Sequence, residues 1–209
     1  MNILAIGAHF DDIELGCGGT IAKHVSEGDI VYVFVATKSG FTNYNNQLIR
    51  SDNEALNEGK SAMDELGVKE MFCGNFETLN VEFEDALNIQ IIRIVEEKKI
   101  DTVYTHWTGD IHHDHQAVAR ASLHSCRHIP RLAMYRSNWY HSPCDFKPNF
   151  YMDISLLWDI KEKAIRAHIS EINRTGEKWI YFFKNEAENA GQKIGVKYAE
   201  VFEVLKWLS

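Results

Sequence analysis

The sequence predicts an α/β fold: a Rossmann-like, mainly parallel sheet flanked by helices, in a single domain spanning residues 1–209. Short apolar runs alternate with amphipathic stretches along the chain. The two polar clusters densest in histidine and aspartate each follow one of those apolar runs. The length, 209 residues, is that of one domain.

Ile3-Leu4-Ala5-Ile6 is continuously apolar and ends at Gly7, as a strand buried on both faces would be. A helix follows, with Ile21 and Val25 one turn apart and Gly28 as the residue that closes it. Ile30 to Ala36 is the strongest β signal, being β-branched and aromatic. Thr37 to Gln47 reads as a polar loop long enough to suspect function. Leu56, Gly59, Met63 and Leu66 share a helical face that stops at Gly67. Glu70 to Cys73 is a short strand, and Leu87, Ile91, Ile94 and Val95 form another helical stripe. Thr102 to Thr105 is a strand, followed by a histidine-rich turn and a helix from about His115. Arg131 to Trp139 and Asn149 to Ile154 are further strands; Leu157 to Ile172 and Glu177 to Ala190 are helices.

Composition excludes several classes. Lys plus Arg total 22 against 30 Asp plus Glu, a net charge of −8, which repels nucleic acid and anionic membrane surfaces. With 45% apolar residues and 3 prolines the chain is not disordered. No apolar run approaches the roughly 20 residues of a membrane span. The N-terminus lacks the basic region of a signal peptide. Cys17, Cys73, Cys126 and Cys144 form no CxxC pair, so reduced thiols and a cytoplasmic location are expected.

His9-Phe10-Asp11-Asp12 follows the first strand, and Asp110-Ile111-His112-His113-Asp114-His115 follows the strand ending near Thr105. In an open parallel sheet, residues just past the strand ends line the ligand crevice, so neighbouring strands would bring both clusters to one site. Imidazole with carboxylate suits a divalent metal, zinc first. His9 and Asp12 are close enough on a turn to grip one ion, and His115 would supply a third ligand. Asp11 is then free to take a proton from water. The plainer reading of either cluster alone is a solvated or capping turn. Gly16-Cys17-Gly18-Gly19 lacks GxGxxG spacing and follows two aspartates, so tight packing is expected there rather than a nucleotide loop. Cys17 reads as a packed small residue, with a soft metal ligand as the lesser possibility.

These residues resemble a family. Ala8-His9-Phe10-Asp11-Asp12 with Leu15-Gly16-Cys17-Gly18-Gly19-Thr20 is similar to the AHPDD…GxGGT start of the PIG-L/LmbE-like zinc de-N-acetylases. His112-His113-Asp114-His115 is similar to the HPDH motif, Arg50…Glu54…Leu66-Gly67 to the R…E…LG helix, and Lys163…His168-Ile169-Ser170-Glu171 to the K…HxS[QE] segment. Further stretches, from Phe146 to Ser155 and from Tyr198 to Phe202, resemble bacterial members found with amino-sugar pathways.

The resemblance implies one zinc ion, other divalent metals being possible, on His9, Asp12 and His115. It implies Asp11 as general base, His112 as acid or oxyanion stabiliser with Asp114 as its orienting carboxylate, and Arg50 and His168 at the substrate. The implied reaction is removal of an acetyl group from an N-acetylated amino sugar or its conjugate. Phe10 and His113 replace two family prolines; Phe10 is expected to loosen the turn or to project into the substrate mouth, and His113 to add a titratable group beside the metal. Only Glu77 stands near the family's acidic sugar-contact position.

Without the resemblance, Arg50 reads as a surface arginine and His168 as a core histidine. His106, Asp110 and His113 read as supporting or exposed groups. Trp107 and Trp139 could face a sugar ring or simply pack. The run Trp179, Tyr181, Phe182, Phe183 reads as core, or else as a subunit interface. Two other functions stay open: a two-metal phosphoesterase, and a non-catalytic metal-binding regulator on the same fold. The partner expected is a small molecule, with neither nucleic acid nor membrane, and the chain is expected to form a homo-oligomer.

Overall fold

The structure is a computed structural model, and it describes residues 1–208. Its elements are β1 (Asn2–Gly7), α1 (Asp12–Ser26), β2 (Ile30–Thr37), β3 (Phe41–Thr42), β4 (Leu48–Arg50), α2 (Asp52–Leu66), β5 (Glu70–Phe76), α3 (Asp85–Glu97), β6 (Thr102–His106), α4 (His113–Ser125), β7 (Arg131–Tyr135), β8 (Phe150–Asp153), α5 (Trp158–Arg166), α6 (Ile169–Thr175), α7 (Lys178–Ile194) and β9 (Ala199–Trp207).

Seven strands form one sheet in the order β5-β2-β1-β6-β7-β9-β8. The first five are parallel, and β9 joins β7 and β8 antiparallel. This is the predicted fold, a mostly parallel sheet with helices on both faces. The chain adds β2 and β5 on one side of β1, then returns to add β6 and β7 on the other. The switch point therefore lies between β1 and β6, where a crevice opens beyond the strand ends. Both polar clusters emerge there.

β1 is the centre of the core. Ile3 and Ala5 pack with residues of α1, α2 and α5, whereas Leu4 and Ile6 pack on the opposite face with residues of α3 and α4. All four are fully buried, which explains an apolar run without alternation. α2 begins at a capping box between Ser51 and Glu54 and ends on Gly67 in the left-handed conformation, φ 74°.

Four segments depart from expectation. The polar stretch after β2 contains the β3–β4 hairpin. β7 stops at Tyr135, so residues 136–140 are a loop beyond a strand end rather than more strand. The helix expected over Leu157–Ile172 breaks at Ala167–His168 into α5 and α6. Buried His168 lies between Glu14 and Arg50 there, while Ser170 gives its backbone N–H and hydroxyl to Glu58. β9 is not marked by periodicity; it places Glu200 against a kink in α1 at Cys17, φ −144°. The Glu200 carboxylate accepts the Gly19 and Thr20 N–H groups and pairs with buried Lys161. Lys161, rather than Lys163, is thus the lysine of this segment that enters the core.

The glycine-rich turn serves packing, as the spacing suggested. A Cβ on Gly16 would lie 2.1 Å from the Tyr135 ring, whose hydroxyl donates to the Ile6 carbonyl. Cys17 is buried in the core among apolar neighbours.

Candidate functional site

The loop after β1 is built around Asp12. Its Oδ2 accepts the Ala8 and His9 backbone N–H groups at 3.1 and 2.7 Å, and its Oδ1 accepts the Ser137 hydroxyl at 2.9 Å. The tight loop throws Asp11 to φ 135°, a backbone region side chains rarely adopt and one that concentrates at functional sites. Phe10 does not enter the substrate mouth. It is 3% exposed and packs on α2, where a Cβ on Gly59 would lie 2.4 Å from its ring.

The second cluster opens α4, with His112 as its N-cap. Across the β1–β6 switch point, three side chains converge. His9 Nδ1 lies 3.4 Å from Asp12 Oδ2 and 3.3 Å from His115 Nε2, and His115 Nε2 lies 3.1 Å from Asp12 Oδ1. Ligand atoms about 2.0–2.1 Å from a tetrahedral zinc stand about 3.3 Å apart, so the donor set fits that ion. The far nitrogens of both rings face carboxylates: His9 Nε2 on Asp114 Oδ2 at 2.9 Å, His115 Nδ1 on Asp110 Oδ2 at 3.1 Å. That is how metal-binding histidines are usually oriented and kept in the correct tautomer. His9, His112 and His115, and separately Asp12, His106 and His115, also present possible ligand atoms within 4.8 Å of one another.

Asp114 corrects the sequence expectation. Its carboxylate orients His9, not His112, and also accepts the Leu79 and Val81 backbone N–H groups at 2.7 and 3.1 Å. Its relation to His112 is through the backbone: the Asp114 N–H donates to His112 Nδ1 at 3.2 Å. This leaves the proton of a neutral His112 on Nε2.

Electrostatics follow from crowding. Burial opposes charge on His9, but the Asp114 and Asp12 carboxylates outweigh it and push the ring up to about 9. His115 is raised to about 10 in the same way, burial being outweighed by Asp12 and Asp110. Burial would raise Asp110, but its bond to His115 takes it down to about 2. Asp11 is raised to about 7 by burial and by the Asp12 charge, against Arg50. His112 is lowered to about 4 by burial and by the neighbouring His115 and His9.

A cavity of about 270 Å³ opens over these groups. His9, Asp11, Asp12, Arg50, His112 and His115 all line it. Arg50 is 2% exposed, and its terminal nitrogens serve the protein: NH1 reaches the Phe10 carbonyl, NH2 reaches Glu58 and His168. Its NH1 stands 3.7 Å from Asp11 Oδ2. His168 does not line the cavity. It is wholly buried beneath, with Nε2 on Glu14 at 2.8 Å, so its place is to hold Arg50 rather than to meet substrate. Trp139 lines the cavity, and buried Trp107 packs against Phe146 instead. Glu77 is exposed and pairs with Lys38. His106 and Asp110, expected as supporting or exposed, are buried partners of Asp12 and His115.

Ser137, Asn138, Arg174 and Trp179 also line the cavity and were missed. The signal for the first two was position. They follow β7 at the same end of the sheet as both clusters, hidden because residues 131–139 read as one strand.

The PIG-L family, described as GlcNAc-PI de-N-acetylase, matches residues 4–126. The Escherichia coli protein named "Uncharacterized deacetylase YaiS" is 32% identical over 180 residues, covering 80% of this chain and 90% of its own. Diacetylchitobiose deacetylase of Thermococcus kodakarensis is 25% identical, covering 95% of this chain and 80% of its own. Among solved structures, GalB, the 4-carboxy-2-hydroxymuconate hydratase of Pseudomonas putida KT2440, superposes with a TM-score of 0.82 at 17% identity, covering 100% of this chain and 97% of that one. That last likeness speaks for the fold alone. The chain belongs to the PIG-L family.

Proposed function

We propose that this protein is a zinc-dependent hydrolase that removes the acetyl group from an N-acetylated amino sugar or its conjugate. The observation that carries this reading is the triangle of His9, Asp12 and His115, with a carboxylate, Asp11, beside it and pointing into the same cavity. The names of the relatives support deacetylation, and that of the Thermococcus protein supports a sugar substrate.

A divalent ion held by those three residues would supply a Lewis acid and make a bound water easier to deprotonate. Asp11 takes the proton of the attacking water; a carboxylate raised to about 7 is suited to that at neutral pH. His112, neutral and protonated at Nε2, donates a hydrogen bond to the carbonyl oxygen as negative charge develops on it. Asp11 then returns its proton to the amine, which is a poor leaving group until protonated. Asp114 and Asp110 hold the two histidines in the required tautomers throughout.

The same two carboxylates weigh against a two-metal phosphoesterase. That chemistry needs a second ligand set about 3.5–4 Å from the first ion. The spare carboxylates Asp110 and Asp114 are already turned onto His115 and His9. Four free cysteines, and no helix among the described residues long and apolar enough to cross a membrane, accord with a cytoplasmic place for the enzyme.

The test is a mass-spectrometric screen of N-acetyl sugars, their glycosides and sugar nucleotides with the zinc-loaded protein. Loss of acetyl from at least one, abolished in Asp11→Asn, is the expected result. Release of phosphate from a phosphoester, with no acetyl loss, would refute the reading.

A further inference from the structure

β6 ends on a histidine that does not line the cavity. His106 is fully buried, and its backbone is fixed in the sheet opposite Tyr135. Its side chain meets two of the three residues that would hold zinc. Nε2 lies 3.1 Å from Asp12 Oδ2, and the ring lies flat against that of His115, with centroids 4.0 Å apart and planes 16° from parallel. We propose that His106 is a positioning residue for the ion and not a ligand of it: its Nε2–H holds Asp12 Oδ2, so that the rest of the carboxylate is offered to the metal. This rests on the zinc reading above.

The proton on Nε2 follows from the hydrogen bonds around it. The Ala8 N–H stands 3.0 Å from His106 Nε2 and 3.1 Å from Asp12 Oδ2, so either atom could accept it. If Nε2 accepted it, the ring proton would sit on Nδ1. That atom is buried and has no hydrogen-bond partner among the described residues. A buried N–H would go unmet, and bare Nε2 would face a carboxylate oxygen lone pair to lone pair. A doubly protonated ring would leave the same N–H unmet. With one proton, on Nε2, both N–H groups converge on Oδ2 and only an acceptor is unmet, at Nδ1.

Oδ2 then accepts from Ala8, His9 and His106, while Oδ1 accepts the Ser137 hydroxyl. The Ala8 and His9 donors belong to the loop that leads into Asp12 and move with it. Among the described residues, His106 is the donor to Oδ2 that comes from another element, and it ties that loop to the central sheet. A rigid strand is a better anchor for a ligand than a loop. His106 could also be taken for a ligand itself, beside Asp12 and His115. An ion there would be shut away from the cavity, whereas a catalytic zinc keeps a position open to water and substrate. An apolar side chain would fill the same place without an unmet nitrogen. What it would lack is the donor to Asp12.

His106→Gln and His106→Met in the full-length chain test that donor. Glutamine carries an amide N–H about as far along the side chain as Nε2; methionine has similar length and no donor. In competition against a fluorescent chelator, zinc affinity should fall about 10- to 100-fold in His106→Met and stay close to the parent's in His106→Gln. His106→Leu takes the place of His106→Met should that variant misfold. Nitrogen-15 NMR of the parent should show the His106 ring protonated at Nε2 and bare at Nδ1. A proton on Nδ1, parental zinc affinity in the variant without a donor, or equal loss of zinc in the glutamine and apolar variants would overturn the proposal. If the ring is protonated as stated but the parent takes up no zinc, the zinc reading falls and this role with it, and only the contact to Asp12 remains.

Discussion

Asp114→Asn separates two accounts of one carboxylate. In the structure Asp114 Oδ2 holds His9 Nε2 at 2.9 Å and the Leu79 N–H at 2.7 Å, while Oδ1 accepts the Val81 N–H at 3.1 Å. Asparagine offers only one acceptor oxygen. If its amide nitrogen replaces Oδ2, it opposes the Leu79 N–H and donates to His9 Nε2, driving the His9 proton onto Nδ1, the atom offered to the metal. If it replaces Oδ1, it opposes the Val81 N–H. Either way one buried donor is left unmet, at about 1–3 kcal/mol of stability. Loss of a carboxylate that orients a ligating histidine typically costs 10- to 100-fold in metal affinity, about 1.4–2.8 kcal/mol. Competition against a fluorescent chelator should show zinc affinity falling in that range for Asp114→Asn, and likewise for Asp110→Asn through His115. If Asp114→Asn binds zinc within twofold of the parent while kcat collapses, the carboxylate serves His112 and the account of this site is wrong.

Three other perturbations follow. Asp11→Asn should keep one zinc per chain and lose about 10²–10⁴ in rate, as expected for a missing general base; loss of the metal together with the rate would make Asp11 a ligand. Gly59→Ala sets a Cβ 2.4 Å from a buried Phe10 ring that has nowhere to go. It should cost about 1–3 kcal/mol, read as about 2–4 °C of Tm per kcal/mol, and an unchanged Tm would show that the loop between His9 and Asp11 yields freely. His168 is raised above its ordinary value because, against burial, the Glu14 carboxylate favours its charged form. A raised histidine stabilises the fold fully below its unfolded pKa of about 6.5, and that share is lost as pH rises through the higher folded value. The urea-midpoint difference between parent and Glu14→Gln should therefore be larger at pH 6 than at pH 9; the reverse order would contradict the pairing.

Much of this was legible in the sequence because the signals were local. Continuous burial of Ile3 to Ile6 and the β-branched run after Asp29 gave the central strands, and two polar clusters beyond strand ends gave the cavity. What stayed hidden depends on partners distant in the chain. The direction of the Asp114 side chain is set by backbone N–H groups of Leu79 and Val81, over thirty residues away. The break at His168 is set by Glu14 and Arg50, which helical periodicity does not register. A looser turn and a place at the mouth are the two readings the sequence leaves open for Phe10, and neither includes its place on Gly59 of α2, which is a tertiary contact. β9 was overlooked because Glu200, a charged residue in an otherwise strand-like run, is buried by pairing with Lys161 and the kinked turn of α1.

The central claim is that one divalent ion sits among His9, Asp12 and His115. Anomalous scattering at the zinc edge, from crystals of the zinc-loaded protein, addresses it directly. The account predicts one strong peak about 2.0–2.2 Å from His9 Nδ1, His115 Nε2 and an Asp12 carboxylate oxygen. A peak on His106 with Asp12 and His115, or on His9, His112 and His115 without Asp12, would contradict it, as would a second peak of equal strength nearby.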